Sequence, residues 1–245
     1  MRRVVIYGAT SAMAESCARC CASRGDGLVL VGRRLERLEA IAADLRTRGA
    51  RQVEVVEADL AAVQDPTALY AACRATLGGC DVLLVAYGVL PDQRACEEDG
   101  QVAAQALRVN FLSVVELLTP VAQAMVADRS GTIAVITSVA GERGRQSNYT
   151  YGAAKGGLDL WLGGLRNRLH ASGVRVITIR PGFVDSPMTA AFPKGPLFVS
   201  SDAAGRAIER ALRGGAPIVY VPWFWRWIMM IIRSIPERLF VRLKL

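Results

Sequence analysis

The residues whose types and spacing best suit chemistry are Ser138, Tyr151 and Lys155. Tyr151 and Lys155 stand at i and i+4, so a helix puts both on one face, while Ser138 closes the strand before it. A free phenol titrates at about 10 and is a poor acid-base group at neutral pH; a neighbouring ammonium favours phenolate and lowers that value. The trio therefore predicts proton transfer at a substrate oxygen. A Tyr-x-x-x-Lys spacing alone is common by chance, and it gains force here from its place behind the fifth of seven expected strands.

A second set of residues suits a dinucleotide. The first strand runs into Gly8-Ala-Thr10-Ser11-Ala12-Met13-Ala14 and then a helix, the context in which backbone N–H groups and a helix N-terminus hold a pyrophosphate. Only Gly8 is a glycine among the small positions expected, so a plain strand-to-helix turn explains the loop about as well. After the second strand comes Gly32-Arg33-Arg34, where an NAD enzyme places an acidic residue for the ribose 2′-hydroxyl. Arginine suits a 2′-phosphate, which points to NADP(H). A solvated first helical turn would also accept arginine, but cations are mildly unfavourable at a helix N-terminus.

These side chains need a scaffold, and the chain alternates short β-branched runs with alanine-rich helical stretches throughout. That is the pattern of an α/β protein with a parallel sheet covered on both faces. Strands are expected near Val4–Tyr7, Leu28–Val31, Val53–Glu57, Val82–Val85, Thr132–Thr137, Arg175–Ile179 and Ile218–Val221. Helices are expected near Met13–Ser23, Leu35–Gly49, Pro66–Leu77, Glu98–Ala127, Tyr151–Ala171 and Asp202–Arg213. Pro181–Ser200 reads as a mobile loop. One domain over 1–221 with a tail over 222–245 is the economical division of 245 residues.

Composition narrows the function classes. At 52% hydrophobic residues the chain can bury a large core, which excludes global disorder. Its net charge of +8 is almost wholly arginine, the lysines being Lys155, Lys194 and Lys244. Cys17, Cys20, Cys21, Cys73, Cys80 and Cys96 lack paired metal-ligand spacing and the single His170 is near none of them, so zinc is not expected. Cys17 and Cys20 could be a redox pair, but mid-helix they read as small apolar residues of a reducing compartment. Met1–Gly8 reads as a strand and not as a secretory leader.

Taken together, these motifs resemble the short-chain dehydrogenase/reductase family from Val4 to about Val221. The resemblance implies a single-domain, Rossmann-type, doubly wound parallel sheet of about seven strands. It implies that Tyr151 transfers the proton, that Lys155 lowers its pKa and bonds the nicotinamide ribose, and that Ser138 polarises a carbonyl. Asn110, in "RVNFLS", would maintain a water relay. Asp59, followed by Leu60, matches a carboxylate beside the adenine. Pro181-Gly182-Phe183-Val184 matches the turn against the nicotinamide, with Ser186 where a threonine is common. Ala86, Tyr87 and Gly88 stand where the family usually has an asparagine-rich segment, and Ala12 and Ala14 replace two glycines, departures that bear on cofactor affinity.

The tail bears on the substrate. Trp223, Trp225 and Trp227 open the run Trp223–Ile232, and half of the net charge lies from Trp223 to Leu245, on Arg226, Arg233, Arg238, Arg242 and Lys244 against Glu237. The run is too short and too charged to cross a bilayer, which takes roughly 18–20 apolar residues. It suits a segment lying in a membrane interface. Arg226, Arg233 and Glu237 would form a stripe facing water while Trp223, Trp227, Met230 and Ile231 face lipid. Pro236 should end the helix, and Glu237–Leu243 should start a second one. The alternative is a contact in a homo-oligomer, since tails in the resembled family often pack across subunits.

The altered glycine loop, the asparagine-poor fourth strand with Ala86, Tyr87 and Gly88, and the tail residues Pro222, Arg226, Met229, Met230, Arg233 and Pro236 are together similar to one branch of that family, the reductases of decaprenylphosphoryl-2-keto-pentose. This resemblance implies a lipid-linked ketone substrate, a flavin oxidase partner that makes it, and a cytoplasmic enzyme peripheral on the inner membrane. The expectation is thus an NADPH-dependent ketone reductase. Its rivals are a soluble reductase of 3-oxoacyl or steroid-like ketones and an NADPH-binding sensor. Nucleic acid is not expected as a partner, because the basic residues are mixed with lipid-like side chains and no recognition motif appears.

Overall fold

A computed structural model describes residues 1–243; Lys244, one of the tail cations, and Leu245 lie outside the described residues. The strands are β1 (Arg3–Tyr7), β2 (Gly27–Gly32), β3 (Gln52–Glu57), β4 (Val82–Val85), β5 (Thr132–Ile136), β6 (Arg175–Pro181), the short pair β7 (Val184–Asp185) and β8 (Val199–Ser200), and β9 (Ile218–Val221). Seven form one parallel sheet in the order β3-β2-β1-β4-β5-β6-β9. In β2 and β4 the runs of Val and Leu are continuous because both faces are covered, whereas β3 at the sheet edge exposes Glu54 and Glu57. The helices are α1 (Ala12–Ala22), α2 (Leu35–Thr47), α3 (Pro66–Thr76), α4 (Gln93–Glu98), α5 (Gly100–Leu107), α6 (Ser113–Asp128), α7 (Tyr149–Leu169), α8 (Ser201–Arg213), α9 (Trp225–Ser234) and α10 (Glu237–Phe240).

One core layer joins the sheet to α1, α2 and α8 through Cys17, Leu38, Ile41 and Ile208. The other joins it to α3, α6 and α7 through Cys73, Leu117, Leu118, Leu158 and Leu162. The fold is therefore the doubly wound α/β sheet expected. All six cysteines are free. Cys17 and Cys21 are fully buried where α1 meets α8, and Gly205 of α8 lies so close to Ser16 and Cys17 that no side chain would fit there.

Strand order reverses between β1 and β4. Tyr7 is in register with Val31 on one side and Val85 on the other, so the loops leaving these strands rise together at the carboxyl edge. This is where a crevice opens in such sheets.

Three expectations need correction. The single helix expected over Glu98–Ala127 is interrupted. Asp99 caps α5, its carboxylate accepting from Gln101 N at 2.7 Å. A π-helical turn, Arg108–Leu112, then joins α5 to α6. Asn110 sits in this turn and donates through Nδ2 to Ala106 O at 3.0 Å. Second, Pro181–Ser200 is not one irregular loop, since Val184 and Asp185 pair with Val199 and Ser200.

Third, the tail has a face the sequence reading missed. Trp225, Met229 and Phe240 are buried, the first two against Val139, Phe183 and Tyr220. Arg143 clamps the tail: Nη1 donates to the carbonyls of Ile232 (3.0 Å), Arg233 (3.0 Å) and Ile235 (2.6 Å). Nη2 pairs with Glu237 at 2.8 Å, and the guanidinium lies 3.8 Å from the Phe240 ring centre. Arg233 bonds Glu142 at 3.3 Å. Two members of the expected water-facing stripe thus bind the protein, because the carbonyls left over at the end of α9 and the buried Glu142 need partners. Trp223, Trp227, Met230 and Ile231 stay exposed, and Pro236 separates α9 from α10 as expected.

Candidate active site

One cleft runs along the carboxyl edge of the sheet, and its two ends differ in chemistry. At the β1–β2 end it is lined by Gly8 and by Thr10, Ser11, Ala12 and Met13, where α1 begins. Gly8 adopts φ +84, and a Cβ there would lie 2.7 Å from Tyr87 N, so only glycine lets the two loops approach this closely. Ser11 makes no side-chain cap, which leaves the first N–H groups of α1 for a ligand. Ala14 packs in the core, where its methyl is accommodated.

Arg33 and Arg34 border the same end. Both are exposed, and among the described residues neither forms an ion pair. Asp59 and Leu60 lie opposite, and the Asp59 carboxylate accepts from Ala61 N at 3.1 Å. Ala86, Tyr87 and Gly88 form the floor beside them. The Tyr87 hydroxyl is turned away from the cleft to Ser113 Oγ, 2.8 Å distant.

Midway lie Ser138, Tyr151 and Lys155. Ser138 lies just past the end of β5 and caps the short turn Val139–Glu142, its hydroxyl accepting from Ala140 N at 3.1 Å. That turn is pressed on α7 where Gly141 and Gly156 meet backbone to backbone; a Cβ on either would lie 2.6 Å from the other strand of chain. Tyr151 faces Ser138 across this part of the cleft, close enough for the serine to favour the ionised phenol. Lys155 is buried, donates to Ile136 O at 3.3 Å and has Nζ 5.8 Å from the Tyr151 ring centre.

The electrostatics reverse one expectation. Burial pushes the Tyr151 phenol up to about 12, with nearby Ser138 opposing it. Burial likewise pulls Lys155 down to about 8, with the Asp159 carboxylate opposing. Desolvation thus sets the direction for the phenol, opposite to the lowering expected from a neighbouring ammonium. At neutral pH the pair is a protonated phenol beside a charged lysine, arranged to give a proton away.

Asn110 does not line the cleft. It is fully buried, accepting from Val89 N at 3.1 Å and donating to Val89 O at 2.9 Å. It thereby fixes the Gly88–Val89 segment, and a Cβ on Gly88 would lie 3.4 Å from Lys155 Nζ. Pro181, Gly182, Val184 and Ser186 do line the cleft. Ser186 N donates to Thr189 Oγ1 at 3.2 Å, which in turn donates to Val184 O at 2.6 Å.

The far end was not foreseen. Phe183, Met188, Phe192, Arg145, Asn148 and Trp225 complete it. Trp225 comes from the tail, its ring edge-on to Phe183 at 5.2 Å and packed over Gly182 so tightly that any side chain there would strike the indole. The three tryptophans of the run were the available signal, but one sequence does not say which of them turns inward.

A family model for short chain dehydrogenases matches residues 2–196. An uncharacterized oxidoreductase of Mycobacterium tuberculosis is 37% identical over 234 residues, covering 96% of this chain and 94% of its own. Among solved structures, a short chain dehydrogenase from Burkholderia cenocepacia in complex with NADP superposes with TM-score 0.83 at 21% identity, covering 99% of this chain and 98% of that one. An actinorhodin polyketide ketoreductase with NADPH gives TM-score 0.80 at 22% identity, covering 91% and 97%. At such identities these two structures speak for the fold, while the family rests on the match over residues 2–196 and on the 37% identical relative. The chain therefore belongs to the short-chain dehydrogenase family.

Proposed function

We propose that this protein is an NADPH-dependent reductase that converts a ketone to a secondary alcohol. The observation that carries the reading is the meeting of Ser138, Tyr151 and buried Lys155 in one cleft, whose other end offers two arginines without an ion pair among the described residues. The residues fit the cofactor: the close Gly8–Tyr87 approach and the uncapped start of α1 suit a pyrophosphate, and Arg33 with Arg34 suits a 2′-phosphate. When bound, NADPH supplies the hydride. Ser138 donates a hydrogen bond to the carbonyl oxygen and polarises it. Tyr151 gives its proton to the oxygen as negative charge develops there, and Lys155 stabilises the phenolate that remains. Asn110 acts from behind, holding the segment that packs on Lys155.

The substrate that fits best is a polyprenylphosphoryl 2-keto-pentose. Support comes from an apolar wall at the reacting end and from a tail whose exposed aromatic face adjoins it. This reading makes the enzyme peripheral on the cytoplasmic face of the inner membrane and requires an oxidation upstream, of the kind a flavin oxidase performs, to form the ketone.

The test is NADPH consumption with the lipid-linked keto sugar in micelles, beside soluble 3-oxoacyl and steroid ketones. Tyr151→Phe should lower kcat by about a hundredfold to ten-thousandfold, the usual worth of a positioned acid, while NADPH still binds. A fully active Tyr151→Phe enzyme overturns the assignment, and a higher kcat/KM for the soluble ketones overturns the substrate class.

A further inference from the structure

Three buried polar atoms at the far end of the cleft lack a partner among the described residues: Arg145 Nε, Asn148 Oδ1 and Trp225 Nε1. They come from separate segments, the Ser138–Tyr149 connection and the tail, and all three residues line the same wall. Buried donors and acceptors are ordinarily satisfied, so a convergent group of orphans marks a place where something else completes the bonding.

Arg145 is the unusual member. It is half-buried, forms no ion pair among the described residues, and its side chain's one polar contact there is Nη2 to Met229 Sδ at 3.3 Å. The carboxylate that most influences it, Glu142, already serves Arg233 at 3.3 Å and Arg180 at 3.6 Å and accepts from the Tyr220 hydroxyl at 3.1 Å. Burial holds the Arg145 guanidinium below the ordinary arginine value. A cation removed from water without its counter-charge is costly. Apart from Lys155 beneath the phenol, Arg145 is the positive group at this end. The acidic residue lining the cleft, Asp59, lies at the other.

We propose that Arg145 and the Trp225 indole N–H form a subsite for an anionic oxygen group on the ketone substrate, a carboxylate or a phosphate ester, whose apolar remainder lies along Phe183, Met188 and Phe192. The proposal rests on the ketone-reduction reading and adds the feature by which a substrate is chosen. Arginine presents paired donors to such oxygens, and the indole adds a third. Because Trp225 and Met229 belong to α9, the tail supplies part of this subsite: one residue contacts the anion, the other holds the guanidinium.

The test compares a long-chain oxo-carboxylate, its methyl ester and the matching oxo-phosphonate as substrates of the full chain. Native enzyme should prefer both anions over the ester by about tenfold or more in kcat/KM, the worth of one charge-assisted hydrogen bond. Arg145→Gln should collapse that ratio through KM, Arg145→Lys should restore part of it, and Trp225→Phe should lower it severalfold. Preference for the phosphonate over the carboxylate identifies a phosphate ester as the natural group, and the reverse identifies a carboxylate. Equal use of acid and ester by native enzyme, or full preference kept by Arg145→Gln, overturns the subsite while leaving ketone reduction intact. Should NADPH bind and no ketone be reduced, the reduction reading fails and the subsite is judged by calorimetry: dodecyl phosphonate binding the NADPH-loaded chain about tenfold more tightly than Arg145→Gln supports it, and equal binding overturns it.

Discussion

Tyr151 and Lys155 show how burial sets the direction of a proton transfer. With the phenol up to about 12 and the lysine down to about 8, the group that titrates near physiological pH is the lysine. Its charged form is the protonated one, disfavoured by burial, so the charge is present below about 8 and is lost as pH rises through that value. The kcat/KM for ketone reduction should therefore hold level up to about pH 8 and fall above it, as the stabiliser of the phenolate disappears. A pH–rate profile measured with saturating NADPH checks this, and a rate that climbs through pH 9 contradicts it. Arg33 carries the second prediction at this scale. It is exposed at the cleft and forms no ion pair among the described residues, so its purpose is read from the ligand. Arg33→Ala should weaken NADPH by about tenfold and NADH far less, by fluorescence titration. Equal affinities of the native protein for the two cofactors would sink the assignment.

Elements decide whether those residues meet, and α9 is the one least visible in advance. Its last carbonyls are satisfied by Arg143 from the turn after Ser138, while its inner face carries Trp225 into the cleft. Arg143→Ala leaves three carbonyls to water and removes the stacking on Phe240. Stability should fall by about 2 kcal/mol, in the range for a hydrogen bond to a charged group, and KM should rise because the wall loosens. Urea titration and steady-state kinetics read the two effects; an unchanged KM would show that α9 holds its place without the clamp. The central strands were legible because each carries a short, continuous apolar run, residues 4–6, 82–85 and 133–136. The break near Asn110 was not, since it depends on a side chain inserting between Ala106 and Val89. The same holds for Trp225: its burial follows from Gly182 and Phe183, distant in sequence, leaving room for an indole. Ser138, Tyr151 and Lys155 could be recognised because their spacing is local, whereas Arg145 becomes informative only once its lack of a counter-ion is seen.

At the scale of the whole molecule, the tail is a two-sided element. One side completes the cleft. The other exposes Trp223 (71%), Trp227 (51%), Met230 (52%) and Ile231 (64%), together with Arg226, Arg238 and Arg242, which are exposed and form no ion pairs among the described residues. Aromatic and aliphatic side chains beside unpaired arginines match the chemistry of an anionic membrane surface. Deleting everything after Val221 is therefore a poor test, because it also removes Trp225 and Met229 from the reacting end. Substituting only the outer face separates the two roles. The full chain should float with anionic liposomes at low salt, float poorly with neutral ones, and be released as salt rises. The triple variant Trp227→Gln, Met230→Gln and Ile231→Gln should lose binding by on the order of a hundredfold, since three half-exposed apolar side chains contribute about 1 kcal/mol each on insertion. The inner face is untouched, so NADPH binding should persist. If the native chain stays in solution and the triple variant changes its oligomeric mass instead, the outer face joins subunits, and soluble ketones replace lipid-linked ones as the substrates that this architecture serves.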